Sequence, residues 1–374
     1  MRIGIDARFL THPQRGGFKT YTHSVVESLA QEDRDNEYIL YIDRSAETIT
    51  LPSNFKVEPI GGQAVVREQI SLPSAMRRDG IDLAHYLNNT AAINPRCRMV
   101  VSMQDAIPLR DTAKFSGEQD FKHRMLARYW RAVMPLAARS ASLIVTDSEF
   151  TKRDLQSILK LPEDKTHVVP LAVNEVFSPD AVGERPRDVQ PGAQFLLAFA
   201  SADGRKNEGT AIQAHRAVVH LFPSLKLVVV CAHPDVKARI ADDSGDGVVA
   251  LGPVSTDELI WLYLNAVALI FPSFDEGFGL PPIEAMACGT PVIASTGGSI
   301  PEITGGCALL AGPKDVLSFA QHIRTIVENE EIRNNLSAKG LVNAGKYTKE
   351  AVGKALIAAY EAAMERQKLH VKRT

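Results

Sequence analysis

Short apolar runs rich in β-branched residues alternate with stretches of helical periodicity along almost the whole chain. In the first half, strand patterns fall at Arg2–Phe9, Tyr38–Ile42, Leu83–Tyr86, Met99–Met103, Ser142–Thr146 and Thr166–Pro170. Helical patterns lie between them at 19–31, at 118–140 and from Ser148 onward. Ser178–Gly192 is rich in Pro, Gly and charge, has no periodicity and reads as a linker. Beyond it the alternation restarts, with strands expected at Phe195–Ala200, Lys226–Cys231, Val248–Leu251 and Ala268–Phe271, and another from Thr290. Helices are expected at 208–220, 234–241 and 255–265, two more over 314–345, and a last one at 348–366. This alternation predicts an α/β protein of two facing Rossmann-like domains with a cleft between them, whose ligands bind beyond the carboxyl ends of the strands. The expected boundaries are 1–175, 192–347 and a C-terminal helix at 348–374.

The stretch Phe271–Ala294 runs from a strand through a glycine loop into a short helix and the next strand. The pattern puts Glu276 at the end of the first strand and Glu284 in the first turn of the helix, bringing both acids towards one place. Gly277 and Gly279 leave the backbone N–H groups around Phe278 and Leu280 accessible, and the helix N-terminus adds positive potential. Carboxylates accept hydrogen bonds from adjacent hydroxyls and can hold a sugar in one orientation. Loop 201–207 places Arg205 and Lys206 at the end of another strand, just before a helix. Two cations there suit a diphosphate and can neutralise a leaving group without a metal.

With 374 residues the chain has room for two domains. Its 45% hydrophobic and 23% charged residues exclude a disordered chain, and a net charge of −2 gives no general attraction to nucleic acid. Cys97, Cys231, Cys288 and Cys307 lack paired metal spacing and read as buried free thiols. Asp33-Arg34-Asp35 has the spacing of a metal-binding acid pair but follows a helix, where a solvated turn is expected. Met1–Asp6 enters a strand pattern at once, and no apolar run approaches the roughly twenty residues that span a bilayer, so a cytoplasmic location is expected. Residues 118–140 put Lys122, His123, Arg124, Arg128 and Arg131 beside Met125, Leu126, Tyr129, Trp130 and Val133. Such a helix suits peripheral contact with the inner face of an anionic membrane, or simply packs with a solvated basic face.

The run Glu276–Ile293, continued by Gly297-Gly-Ser-Ile-Pro-Glu302, closely resembles the signature of family 4 retaining glycosyltransferases of GT-B fold. Arg205-Lys-Asn207, Leu251-Gly-Pro-Val-Ser255 and Gly16-Gly17 extend the likeness over nearly the whole chain. The resemblance implies an acceptor-binding N-terminal domain and a nucleotide-sugar-binding second domain, with the last helix crossing back to the first. By position, Glu276 contacts the donor sugar and Glu284 the ribose. The backbone of Gly277, Phe278, Gly279 and Leu280 meets the sugar and diphosphate, and Arg205 and Lys206 bind the diphosphate. The backbone near Val254 faces the base, and Gly16 and Gly17 close over the phosphates. The implied reaction moves a hexose from a nucleoside diphosphate sugar to an acceptor hydroxyl of a glycan or lipid, with retention and without a metal or other cofactor.

The family has His-Asp where this chain has Gln104-Asp105. Gln104 donates a hydrogen bond but cannot act as acid or base. A Gly-Arg pair of the family is replaced by Phe199-Ala200, a missing cation for which Arg205 can compensate. A nucleotide-sugar-binding protein without turnover and a nucleotide-sugar epimerase of GT-B-like architecture are the alternatives.

Overall fold

A computed structural model describes the chain apart from residues 13–15, 44–49, 111–120, 244, 246 and 372–374 and the side chains of 121–124 and 367–371. The described residues form two units: one runs from Met1 to Ala172 and resumes at Tyr347, and the other is Val173–Lys346.

The first unit is built on a parallel seven-stranded sheet of order β3-β2-β1-β4-β5-β6-β7. Its strands are β1 (Arg2–Asp6), β2 (Glu37–Ile42), β3 (Phe55–Pro59), β4 (Leu83–Tyr86), β5 (Arg98–Ser102), β6 (Leu143–Thr146) and β7 (Thr166–Val168). The central strands are buried along almost their whole length, as a sheet covered on both faces requires. Sequence periodicity missed β3 because it is an edge strand with only Phe55 buried. Helix Gly17–Glu32 follows β1, starting two residues before its expected position.

The last helix, Lys349–Val371, belongs to this unit and lies along Gly17–Glu32. Gly353 makes that approach possible, since a Cβ there would stand 2.7 Å from the Ser28 carbonyl and 2.6 Å from Glu32 Cγ. Tyr360 of the last helix reaches His85 Nδ1 at 2.8 Å, and His85 Nε2 meets Ser102 Oγ at 2.8 Å. Burial pushes the His85 pKa down to about 3, so the imidazole is neutral. Asp33, expected in a solvated turn, is instead buried. Its carboxylate accepts hydrogen bonds from Asn36 Nδ2 at 2.6 Å and the Tyr38 hydroxyl at 2.6 Å.

Helix Phe121–Ser140 covers the sequence for which either a membrane contact or a packed helix with a solvated basic face was expected. Residues 118–120 and the side chains of Lys122, His123 and Arg124 lie outside the described residues. Among the rest, Met125 and Leu126 are exposed, while Tyr129 and Trp130 are partly buried against the first unit. Tyr129 donates to Glu68 Oε1 at 2.6 Å, and Trp130 meets the Phe18 ring edge-on at 5.9 Å. Arg131 donates to the Pro108 carbonyl at 2.9 Å. No helix among the described residues is long and apolar enough to cross a membrane.

The second unit has a parallel six-stranded sheet of order β10-β9-β8-β11-β12-β13. Its strands are β8 (Phe195–Ala200), β9 (Lys226–Cys231), β10 (Val248–Leu251), β11 (Ala268–Phe271), β12 (Val292–Ser295) and β13 (Leu309–Ala311). The three-residue edge strand β13 was not expected. Ser178–Gly192, expected as a linker, is packed onto this unit. Glu184 N bonds the Asp257 carbonyl at 3.0 Å, Val189 is buried, and a Cβ on Gly183 would strike the Trp261 backbone nitrogen at 2.4 Å. The four cysteines are free, Cys231 and Cys288 buried and Cys97 and Cys307 only partly so.

Candidate functional site

β8 and β11 are neighbours in the second sheet, and the loops that leave their carboxyl ends are tied together. In the loop after β8, Asp203 Oδ1 accepts from Ser201 Oγ at 2.6 Å and from Arg205 N at 3.1 Å, which closes a side-chain-backed turn. Asn207 sits in the left-handed region with φ 55°, a conformation asparagine tolerates. Its amide donates to the Pro272 carbonyl at 2.9 Å and the Pro313 carbonyl at 2.6 Å. Phe274 N in turn donates to the Arg205 carbonyl at 2.9 Å.

These bonds aim two cations at one acid. Arg205 Nη1 lies 2.7 Å from Glu276 Oε2, and Lys206 Nζ lies 2.8 Å from Oε1. Ser273 Oγ stands 2.7 Å from the same Oε1, and Lys206 Nζ also lies 4.6 Å above the centre of the Phe271 ring. Glu276 is 7% exposed. Burial works against its charge, but Lys206 and Arg205 outweigh burial and hold the carboxyl at about 2. Glu276 does not end a strand as expected: β11 stops at Phe271, and Glu276 lies in the loop beyond.

Glu284 sits in the second turn of helix Leu280–Ala287 rather than its first. The Tyr263 hydroxyl donates to Glu284 Oε2 at 2.8 Å. Burial pushes the Glu284 pKa up to about 7, against the opposing pull of Tyr263 and Lys206. Tyr263 belongs to helix Thr256–Asn265, which Ser255 and Glu258 close with a reciprocal capping box just after Val254. One acid of the site is therefore firmly ionised, and the other titrates near neutrality.

The residues that hold the glycine loop were present in the sequence but had no role assigned to them. Ser299 Oγ donates to the carbonyls of Glu276 and Phe278, at 3.0 and 2.6 Å. Gly298 has φ +60°, and a Cβ on it would come within 2.4 Å of the Glu276 carbonyl oxygen and 2.5 Å of its nitrogen. A Cβ on the adjacent Gly297 would come within 2.5 Å of the Phe274 carbonyl oxygen. Only glycine at both positions lets this backbone seat the acid. Within the loop, Phe278 is buried, Gly277 and Leu280 are partly buried, and Gly279 takes a left-handed φ of +106°.

The remaining expected site residues belong to the first unit. Gly16 and Gly17 are exposed at the start of helix Gly17–Glu32. Gln104 follows β5, its backbone nitrogen bonding Asn89 Oδ1 at 2.7 Å and its amide the Leu87 carbonyl at 3.2 Å. Asp105 Oδ1 accepts from Ile107 N at 3.0 Å and shapes the next turn.

Residues 15–176 match the family model described as Glycosyltransferase Family 4, and residues 185–341 match that of Glycosyl transferases group 1. The O-antigen chain mannosyltransferase B of Escherichia coli is 28% identical over 249 residues, covering 63% of this chain and 64% of that protein. The chain thus spans a little less than two thirds of that relative's length. Sucrose-phosphate synthase from Thermosynechococcus elongatus superposes with a TM-score of 0.71 at 17% identity, over 97% of this chain and 99% of that one. Anabaena HepE in complex with UDP-glucose superposes with a TM-score of 0.68 at 15% identity, over 97% of this chain and all of that one (100%). Two parallel-sheet α/β units with loops gathered at the carboxyl ends of their strands define the GT-B fold. The chain belongs to glycosyltransferase family 4.

Proposed function

We propose that the protein transfers a hexose from a nucleoside diphosphate sugar to a hydroxyl of a glycan or lipid-linked acceptor, with retention of configuration and without a metal. The observation that carries this reading is the convergence of Arg205 and Lys206 on Glu276 beyond the ends of β8 and β11. In the free protein the carboxylate balances two cations. An arriving diphosphate replaces part of that balance with its own charge, and Glu276 is released to accept hydrogen bonds from the sugar hydroxyls. As the sugar leaves, negative charge develops on the diphosphate, where the two cations supply what a divalent metal supplies elsewhere.

Glu284, in its ionised form, accepts from the ribose hydroxyls, and the backbone of Gly277–Leu280 lines the sugar and diphosphate. The backbone at Val254 faces the base, and Gly16 and Gly17 contribute to the phosphates. Gln104 donates a hydrogen bond where family members place histidine, and Asp105 fixes the turn that follows it. The leaving diphosphate takes the acceptor's proton. The E. coli relative is named as a mannosyltransferase of O-antigen chains, which favours a mannosyl donor and a polysaccharide product. Gln104 also raises the alternative of a donor-binding protein without turnover.

Thermal melting with GDP, UDP and ADP tests donor binding, because a nucleotide that binds only the folded state raises Tm by mass action. One of the three is expected to raise it in the wild type and much less in Lys206→Ala. Identical melting with and without each nucleotide would contradict the reading.

A further inference from the structure

A pocket of about 450 Å³ opens at the amino ends of the second unit's strands, opposite the loops that carry Arg205, Lys206 and Glu276. Gln194, Val267 and Pro291 immediately precede β8, β11 and β12, and all three line it. The length of β8 sets it roughly 15–20 Å from the site at the other end of the sheet. Its volume falls within the range of small-molecule sites.

Helix Glu330–Ala344 forms one wall, with Arg333 and Ser337 one turn apart on it and Asn334 beside them. Ser337 Oγ donates to the Gly289 carbonyl at 2.6 Å, which ties this helix to the turn before β12. Arg333 is partly buried, and its Nη1 donates to the Ile326 carbonyl at 2.9 Å, which fixes the plane of the guanidinium. Among the described residues no carboxylate pairs with it. Arg205 and Lys206, at the other end of the strands, share Glu276; Arg333 has no such counter-ion.

Three amides surround this cation. Asn265 Nδ2 donates back to the Trp261 carbonyl at 2.9 Å, which leaves its oxygen for another partner. The side chains of Gln194 and Asn334 make no hydrogen bond to the described residues. Leu225 and Val327 add an apolar surface. One unbalanced cation matches one negative charge. A carboxylate meets a guanidinium through two parallel bonds and brings that single charge. A phosphate monoester brings about −1.5 to −2 and finds no second cation among the lining residues. Amides both donate and accept, which suits the hydroxyl groups of a polar ligand.

We propose that this pocket binds a hydroxylated monocarboxylate the size of a sugar acid, with the carboxylate on Arg333 and hydroxyls on Gln194, Asn265 and Asn334. It is a ligand site separate from the one at Glu276, and it does not depend on the sugar-transfer reading.

Saturation-transfer NMR on the full chain tests it with D-glucuronate, methyl β-glucopyranoside and glucose 6-phosphate as carboxylate, neutral and phosphate probes. Glucuronate is expected to receive saturation and to bind more tightly than the other two. Arg333→Met keeps the aliphatic stem and removes the charge, and should weaken glucuronate about tenfold or more, the scale of one hydrogen bond to a charged group. Arg333→Lys should recover only part of that loss, because it lacks the planar fork. Asn334→Trp changes an exposed residue and fills the pocket, so it should abolish binding and keeps the test decisive if Arg333→Met does not fold. Lys206→Ala should bind glucuronate as the wild type does. Unchanged glucuronate affinity in Arg333→Met or Asn334→Trp, or its loss in Lys206→Ala, overturns the proposal. So does the absence of glucuronate saturation, or a neutral or phosphate probe that binds as tightly.

Discussion

Lys206 Nζ lies 2.8 Å from Glu276 Oε1, a contact between residues 70 positions apart that is made because the loops after β8 and β11 are tied by Asn207. With Arg205 on the other oxygen, Glu276 is the counter-ion of two cations, and it is also the acid proposed to hold the donor sugar.

Removing that charge should separate the two roles. Glu276→Gln removes the shared carboxylate charge from Arg205 and Lys206, leaving Arg205 its contacts with Asp203 and the Asp275 carbonyl. Both cations retain some contact with solvent, so the cost should be about 1–3 kcal/mol, below the about 3–5 kcal/mol of a fully buried broken pair. Urea unfolding measures it. Transfer should fall about a hundredfold or more, while the free nucleoside diphosphate binds at least as tightly as before because its competitor is gone. Weaker nucleotide binding together with near-normal transfer would contradict the assignment.

The two acids make opposite contributions to stability as pH changes. Glu276 is held at about 2 in the folded chain against 4.5 in the unfolded one, so its contribution is present above pH 4.5 and lost as pH falls towards 2. Glu284 is raised from 4.5 to about 7, so the folded state holds the extra proton between those values and stability falls as pH rises through them. Unfolding free energy measured from pH 4.5 to 7 should slope downward less in Glu284→Gln than in the wild type. Nucleotide affinity should rise as pH passes 7 in the wild type and stay flat in that variant. Parallel profiles would remove Glu284 from the ribose.

Gly298 and Gly279 provide a steric comparison. Both have positive φ, but a Cβ on Gly298 strikes the Glu276 backbone at 2.4 Å, whereas one on Gly279 meets nothing within 4 Å. Gly279→Ala should cost about 1 kcal/mol through backbone strain alone. Gly298→Ala should cost clearly more, and the two melting temperatures measured together decide the point.

The sequence carried the α/β alternation and the run from Glu276 to Ile293, because both are local patterns: β-branched strands, punctuating glycines and proline at a helix start. It misled where tertiary packing overrode composition. Ser178–Gly192 has the composition of a linker, yet Gly183 and Val189 pack it onto the second unit. Composition left two readings of helix Phe121–Ser140 open, and the bond from Tyr129 to Glu68 is a packing contact that composition could not specify. Partnerships across long separations could not be read at all. Tyr263 with Glu284 and Arg67 with Asp6 arise only when strands or helices distant in sequence come together. The seat that Gly297 and Gly298 form was visible only as two adjacent glycines.

The metal independence proposed from the two cations has its own assay. Activity after dialysis against EDTA should match the untreated enzyme, and restoration by added Mg²⁺ or Mn²⁺ after a large loss would show that Arg205 and Lys206 are not sufficient.

Sugar transfer is proposed to take place at the Arg205–Lys206–Glu276 centre. The most direct measurement incubates the protein with GDP-mannose, UDP-glucose and a lipid-linked glycan acceptor, and follows nucleoside diphosphate release and the product's anomeric configuration by NMR. An acceptor-dependent product of retained configuration is expected, reduced about a hundredfold or more in Lys206→Ala. Donor binding without transfer, conversion of the free donor to its epimer, or equal rates in the variant would contradict it.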